Sequence, residues 1–121
     1  MQKDFRTGWL LLLLLKGPSY GYELRRALGA RELDLDPAVT YRSLREMERA
    51  ALITSRWMRS DAGPKRRVYD ITDRGRAELG RIAQGVRVTR DAQSVFLDAY
   101  EAASEGSAPR RSRRRAAPRR R

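Results

Sequence analysis

The chain has 121 residues, neither cysteine nor histidine, and 27 Lys and Arg against 15 Asp and Glu, a formal net charge of +12. That composition excludes disulfide frameworks, thiolate chemistry and cysteine-based zinc sites, and it lacks the commonest acid–base side chain and metal ligand. The surplus points to a polyanion, nucleic acid first and an anionic membrane surface second, in a chain long enough for one domain and a tail.

Residues 3–16 read as a first helix ended by Gly17-Pro18. Its second half, Trp9 followed by six leucines, is an unbroken apolar run of seven residues. A membrane-spanning helix needs about 20, and Lys16-Gly17-Pro18 stands where a secretory signal would place small residues for cleavage. The expectation is a helix covered on most sides, with a second subunit a candidate for part of the cover, and no membrane partner. A second helix spans residues 21–28, capped by Ser19 or Tyr20, with Leu24, Ala27 and Leu28 as its stripe and Gly29 as its end. Residues 30–35 form a polar linker.

Asp36-Pro37 is a strong helix start, because Asp accepts N-terminal backbone N–H groups and Pro is preset for the first helical position. The third helix runs to about residue 50. At 100° per residue Thr40, Leu44, Met47 and Ala51 share one face, and Ala38, Arg42, Arg45 and Arg49 share the opposite one. Tyr41 and Val39 flank the arginine face. The helix nets zero charge, its three arginines balanced by Asp36, Glu46 and Glu48.

The period then changes. Residues 52–59 and 65–71 favour strands, separated by turn chemistry at residues 60–64, so a two-stranded hairpin is expected. Arg56, Arg59, Lys65, Arg66 and Arg67 against Asp61 give it a local +4. Trp57 and Tyr69 are read as hairpin packing. Thr72 caps a last helix with Asp73 in its first turn, extending to about residue 103. Its stripes, Leu79-Ile82-Val86 and Val88-Ala92-Val95-Ala99, do not join cleanly, so a break or shift near Gly85 is expected. Residues 104–121 hold eight Arg and one Glu among Ser, Ala and Pro, and read as a disordered tail. Two readings of it stand: an electrostatic arm for nucleic acid, or a solvated tail without function.

Three helices, a basic hairpin and a last helix make a winged helix-turn-helix plan. The fold class expected is mainly α with a two-stranded β-hairpin, divided into a DNA-binding domain (residues 1–72), an additional C-terminal helix (73–103), to which the family resemblance given below assigns dimerisation, and the Arg-rich tail. A helix fits the major groove of B-DNA and its N-terminal half reaches base edges. Arg42, Arg45 and Arg49 are the donors for that task, and Lys65, Arg66 and Arg67 suit the backbone or minor groove. Tyr22 can pack or reach a phosphate. Asp34 and Asp36 read as linker and cap rather than metal ligands, so no cofactor and no enzymatic activity are expected.

Leu14-Leu15-Lys16-Gly17-Pro18-Ser19-Tyr20-Gly21-Tyr22-Glu23-Leu24 resembles the opening motif of the PadR-like transcriptional regulators. Tyr41-Arg42-x-Leu44-Arg45-x-Met47-Glu48 resembles their recognition helix, and residues 52–75, with Gly63-Pro64-x-Arg66-Arg67-x-Tyr69-x-Ile71-Thr72-x-x-Gly75, resemble their wing and the start of the last helix. The resemblance covers about two-thirds of the chain. It implies a homodimeric repressor or regulator that binds double-stranded DNA in the bacterial cytoplasm. DNA contacts carried over by position fall on Ala38, Val39, Thr40, Tyr41 and Arg42, and on Lys65, Arg66 and Arg67. A dimer formed by the last helix with help from the first falls on Trp9, Leu12, Leu13, Ile82, Val86, Val95, Phe96 and Tyr100.

Departures from the family pattern are specific. Val39-Thr40 replaces Thr-Leu before the tyrosine, moving a hydroxyl from the DNA side toward the core. Ala51 stands where a glycine ends the recognition helix. The C-terminal region has room for one helix. Some short members bind aromatic or drug-like ligands at the dimer interface; here the last helix offers Phe96 and Tyr100 but no Trp, so a small-molecule effector stays unassigned. Two other functions fit the same residues: a non-specific architectural DNA binder driven by wing and tail, and a winged-helix module that contacts protein.

Overall fold

A computed structural model of the chain describes residues 3–31, 33, 36–60 and 63–107. The elements in chain order are α1 (Lys3–Leu15), β1 (Ser19–Tyr20), α2 (Gly21–Ala30), α3 (Pro37–Arg49), β2 (Ile53–Ser60), β3 (Gly63–Ile71) and α4 (Asp73–Ser107). The sheet is antiparallel in the order β1-β3-β2.

The leucine run of α1 supplies the centre of the core. Leu10, Leu11 and Leu14 are buried, together with Leu24 and Leu28 of α2, Leu44 and Met47 of α3, and Ile53, Tyr69 and Ile71 of the sheet. Leu12 and Leu15 remain exposed on the other side of α1. Gly8 allows a close approach of α1 to the start of α4: a Cβ there would lie 3.0 Å from Ile82 Cγ2. Gly21 does the same between the two helices of the helix-turn-helix, where a Cβ would lie 2.7 Å from the Tyr41 ring.

Local chemistry sets the element ends. Glu23 Oε1 accepts from the Tyr20 backbone N–H at 3.0 Å and from Ser19 Oγ at 3.1 Å, closing the start of α2. Asp36 Oδ1 accepts from Ala38 N at 2.8 Å, the expected cap of α3. Thr72 Oγ1 accepts from Gly75 N at 2.9 Å, and its one proton is shared between the Ala51 and Leu52 carbonyls, tying the start of α4 to the exit of α3.

Several expectations are corrected. The sheet has three strands, because Ser19 and Tyr20 pair with Tyr69 and Val68. Gly29 lies inside α2, whose last turn is closed by Arg31 donating to the Ala27 carbonyl. Gly63 and Pro64 belong to β3 rather than to the turn. Of the break or shift expected near Gly85, the break is absent: α4 is one helix of 35 residues that runs through residue 103 to Ser107. The rest of the tail, residues 108–121, and parts of the linker and turn lie outside the described residues. The chain divides into two compact units between Gln84 and Gly85.

Candidate nucleic-acid interface

Helix α3 presents the arginine face that its period predicts. Thr40, Ser43, Leu44 and Met47 are buried toward the core. Ala38, Arg42, Arg45 and Arg49, on the opposite side, are exposed. Val39 and Tyr41 are half-buried on the two flanks, the Tyr41 ring lying against Gly21. Thr40 is 1% exposed, so it leaves the set of surface contacts; its Oγ1 has no hydrogen-bond partner among the described residues. Its position in the family motif implies the DNA side, whereas the helical period groups it with Leu44 and Met47.

The acids of α3 lie off the centre line of the arginine face. Glu46 lines a cleft of about 250 Å³ with Thr7, Ser43 and Glu78. Arg81 donates to the Glu78 carboxylate and holds it below the ordinary glutamate value. Glu48 instead accepts from Ser55 Oγ of β2 at 2.7 Å.

In the wing, strand alternation separates the basic residues. Lys65 and Arg66 are exposed. Arg66 donates to the Tyr22 hydroxyl at 2.9 Å, with its guanidinium 5.1 Å from the centre of the Tyr22 ring, and Tyr22 stacks on Tyr20 at 5.6 Å. Tyr22 is therefore a surface residue joined to the wing. Arg67 is half-buried: Nε donates to Ser55 Oγ at 2.8 Å, and the guanidinium lies 5.0 Å from the Trp57 ring centre. Trp57 is 59% exposed and packs within the hairpin against Arg67, its cross-strand partner, while Tyr69 is buried as expected. Burial pushes the Tyr69 phenol above its ordinary value, against the pull of Arg67. Glu48, Ser55 and Trp57 are the residues that sequence reasoning missed at this site. The alternation along β2 put Ser55 and Trp57 on one face, but which helix they would meet carries no sequence signal.

The residues assigned to a dimer divide. Ile82 is 7% exposed and belongs to the core of its own chain, so it leaves the interface set. Trp9 and Leu13 are half-buried against the same core, Trp9 beneath the Arg31 guanidinium at 5.4 Å. Leu12, Val86, Val95, Phe96 and Tyr100 are exposed.

The profile of the transcriptional regulator PadR-like family matches residues 10–81, more than half of the chain. The chain belongs to the PadR-like family. A PadR family transcription regulator from Clostridium difficile has 26% identity and a TM-score of 0.71, over 77% of this chain and 98% of that one. A PadR-like transcriptional regulator from Bacillus cereus has 28% identity and a TM-score of 0.67, over 75% of this chain and 89% of that one. The Bacillus subtilis PadR, solved in complex with operator DNA, has 23% identity and a TM-score of 0.57, over 62% of this chain and 44% of that one. No curated protein matches. The PadR-like match runs from within α1 into α4, and so contains α3, the wing and Tyr22. No helix among the described residues is long and apolar enough to cross a membrane.

Proposed function

We propose that this PadR-like chain is a sequence-specific transcriptional repressor that binds double-stranded DNA as a homodimer. Helix α3 enters the major groove and reads bases through Arg42 and Arg45, with Arg49 beside them. Lys65 and Arg66 of the wing hold the backbone or the minor groove. Residues 1–72 carry DNA binding, and residues 73–103 carry dimerisation.

The observation that supports this reading most is the exposed arginine face of a helix whose opposite face is core and whose N-terminus is capped by Asp36. Arginine forks match guanine edges, and each good bidentate contact is worth about 1–3 kcal/mol of base discrimination. The operator complex of the Bacillus subtilis neighbour adds support. For the dimer, support comes from Val88, Val95, Phe96 and Tyr100, large apolar residues left exposed along one stretch of α4. A two-fold protein reads a two-fold site, with half-sites about one helical turn apart.

Selection from random DNA pools with the chain truncated after residue 103 tests the reading. A palindromic consensus is the expected result. Arg42→Ala and Arg45→Ala should then each lower the preference for that consensus over random DNA about tenfold. Equal loss on both DNAs would remove base readout from α3, and loss of all binding with the tail would favour an architectural binder.

A further inference from the structure

Arg66 and Arg67 are adjacent, basic and in the wing, and on sequence grounds they are equivalent phosphate contacts. The structure separates them. Successive strand residues face opposite sides of a sheet. Arg66 lies exposed against Tyr22, whereas Arg67 turns toward α3. We propose that Arg67 is a positioning residue rather than a DNA contact, and that with Ser55 and Glu48 it fixes the angle of the wing relative to the recognition helix. The DNA-binding role of this brace rests on the function proposed above.

The geometry is a directed chain of hydrogen bonds. Arg67 Nε donates to Ser55 Oγ at 2.8 Å, and the same hydroxyl donates to Glu48 Oε2 at 2.7 Å. A hydroxyl has one donor and free acceptor capacity, so both bonds form at once and polarise one another. The second guanidinium arm lies 4.0 Å from the same carboxylate oxygen. The ring of Trp57, directly opposite Arg67 in the β2–β3 ladder, lies 5.0 Å from the guanidinium and adds a cation–π contact.

The brace sits where the hairpin loses its third strand. β1 pairs with Tyr69 and Val68 and goes no further. From Arg67 outward the wing is two-stranded, and an isolated two-stranded hairpin is marginally stable in water. A link to a rigid helix at that point holds the outer wing in one orientation. It also explains a carboxylate on a helix proposed to face a polyanion. Charge alone predicts that losing Glu48 strengthens binding to every DNA; the brace predicts that it weakens discrimination.

Glu48→Ala, Arg67→Met and Arg66→Met in the full chain test the proposal by two measurements. The first needs no DNA. Amide hydrogen exchange at Met58 and Arg66, the ladder-bonded pair of the outer wing, should accelerate about tenfold in Glu48→Ala and Arg67→Met, with Thr54 and Asp70 unchanged. Unchanged exchange in the outer wing overturns the brace. The second uses the consensus DNA selected above. Glu48→Ala and Arg67→Met should each lower consensus preference about tenfold, and the double variant should be no worse than either alone. Arg67→Met should keep the wild-type slope of log affinity against log salt, while Arg66→Met lowers it by about 1. A slope lowered by Arg67→Met, or tighter binding of all DNA by Glu48→Ala, refutes the positioning role. A wild-type chain that selects no DNA defeats the function proposed above, and the exchange measurement still decides whether the brace exists.

Discussion

Ala51 is the one non-glycine residue among those described with a positive φ, at 63°. It follows the C-cap of α3, and the bonds around it, Ala51 N to Glu48 O and Leu52 N to Met47 O, both 3.0 Å, are those of a Schellman motif. Glycine takes this left-handed position without steric penalty, whereas a Cβ there costs about 1–2 kcal/mol. Glycine also adds freedom to the unfolded chain, which offsets part of the gain. Ala51→Gly should therefore raise stability by about 0.5–1 kcal/mol, read as a shifted urea midpoint with an unchanged slope. Thr40 is the other local departure. Its hydroxyl is buried without a hydrogen-bond partner among the described residues, a cost that the core of α3 carries. Both positions stood out in the sequence, because each breaks a pattern. Their conformations follow from the backbone around them.

Among the elements, α3 was the most legible. Its cap, its first helical proline and its two faces are all local, and local interactions survive any tertiary arrangement. The hairpin strands follow from alternation in the same way. The two-residue strand β1 has no period to read, and it exists because β3 passes beside Ser19 and Tyr20. The continuity of α4 is instructive in the other direction. A change of apolar stripe alters which side chains are covered, not the backbone bonds, and single glycines cost only about 1 kcal/mol each. The glycines of α4 are also not alike. At Gly75 a Cβ would stand 2.1 Å from the Leu52 carbonyl oxygen and 2.8 Å from Ile71 Cγ1, so the junction of α3, sheet and α4 admits no side chain. Nothing lies within 4 Å of the corresponding position at Gly80. Thermal or chemical denaturation should thus show opposite signs for one chemical change: Gly75→Ala destabilises by about 3 kcal/mol, and Gly80→Ala stabilises by about 0.5–1 kcal/mol.

On the scale of the whole molecule, the charge and the apolar surface do different things. The net charge of +12 sits outside α3, which together with its Asp36 cap nets zero, and eight of the arginines lie in residues 104–121. Affinity for a polyanion and discrimination between sequences thereby reside in separate parts of the proposed regulator. Between Gly85 and Ser107 the large apolar residues of α4 are exposed, Phe96 at 67%. A patch of that kind needs a cover, and in the proposed dimer a second copy supplies it. Phe96→Asp should weaken self-association at least tenfold in sedimentation equilibrium, since it buries a charge in an apolar contact. The exchange protection of α1, α2 and α3 should stay unchanged, because Phe96 is not part of their core.

The sequence by itself determined the order of elements, the buried leucines of α1, the two faces of α3 and the basic wing. Each is a matter of period, cap or composition, and so is settled within a few residues. Tertiary structure decided the fates of residues that look alike in the chain. Arg66 stays outside while Arg67 joins Ser55 and Glu48. Ile82 enters the core beneath Gly8, whereas Val95 and Phe96 remain uncovered. These outcomes depend on which elements meet and at what distance, and contacts between residues far apart in the chain leave no local pattern to read.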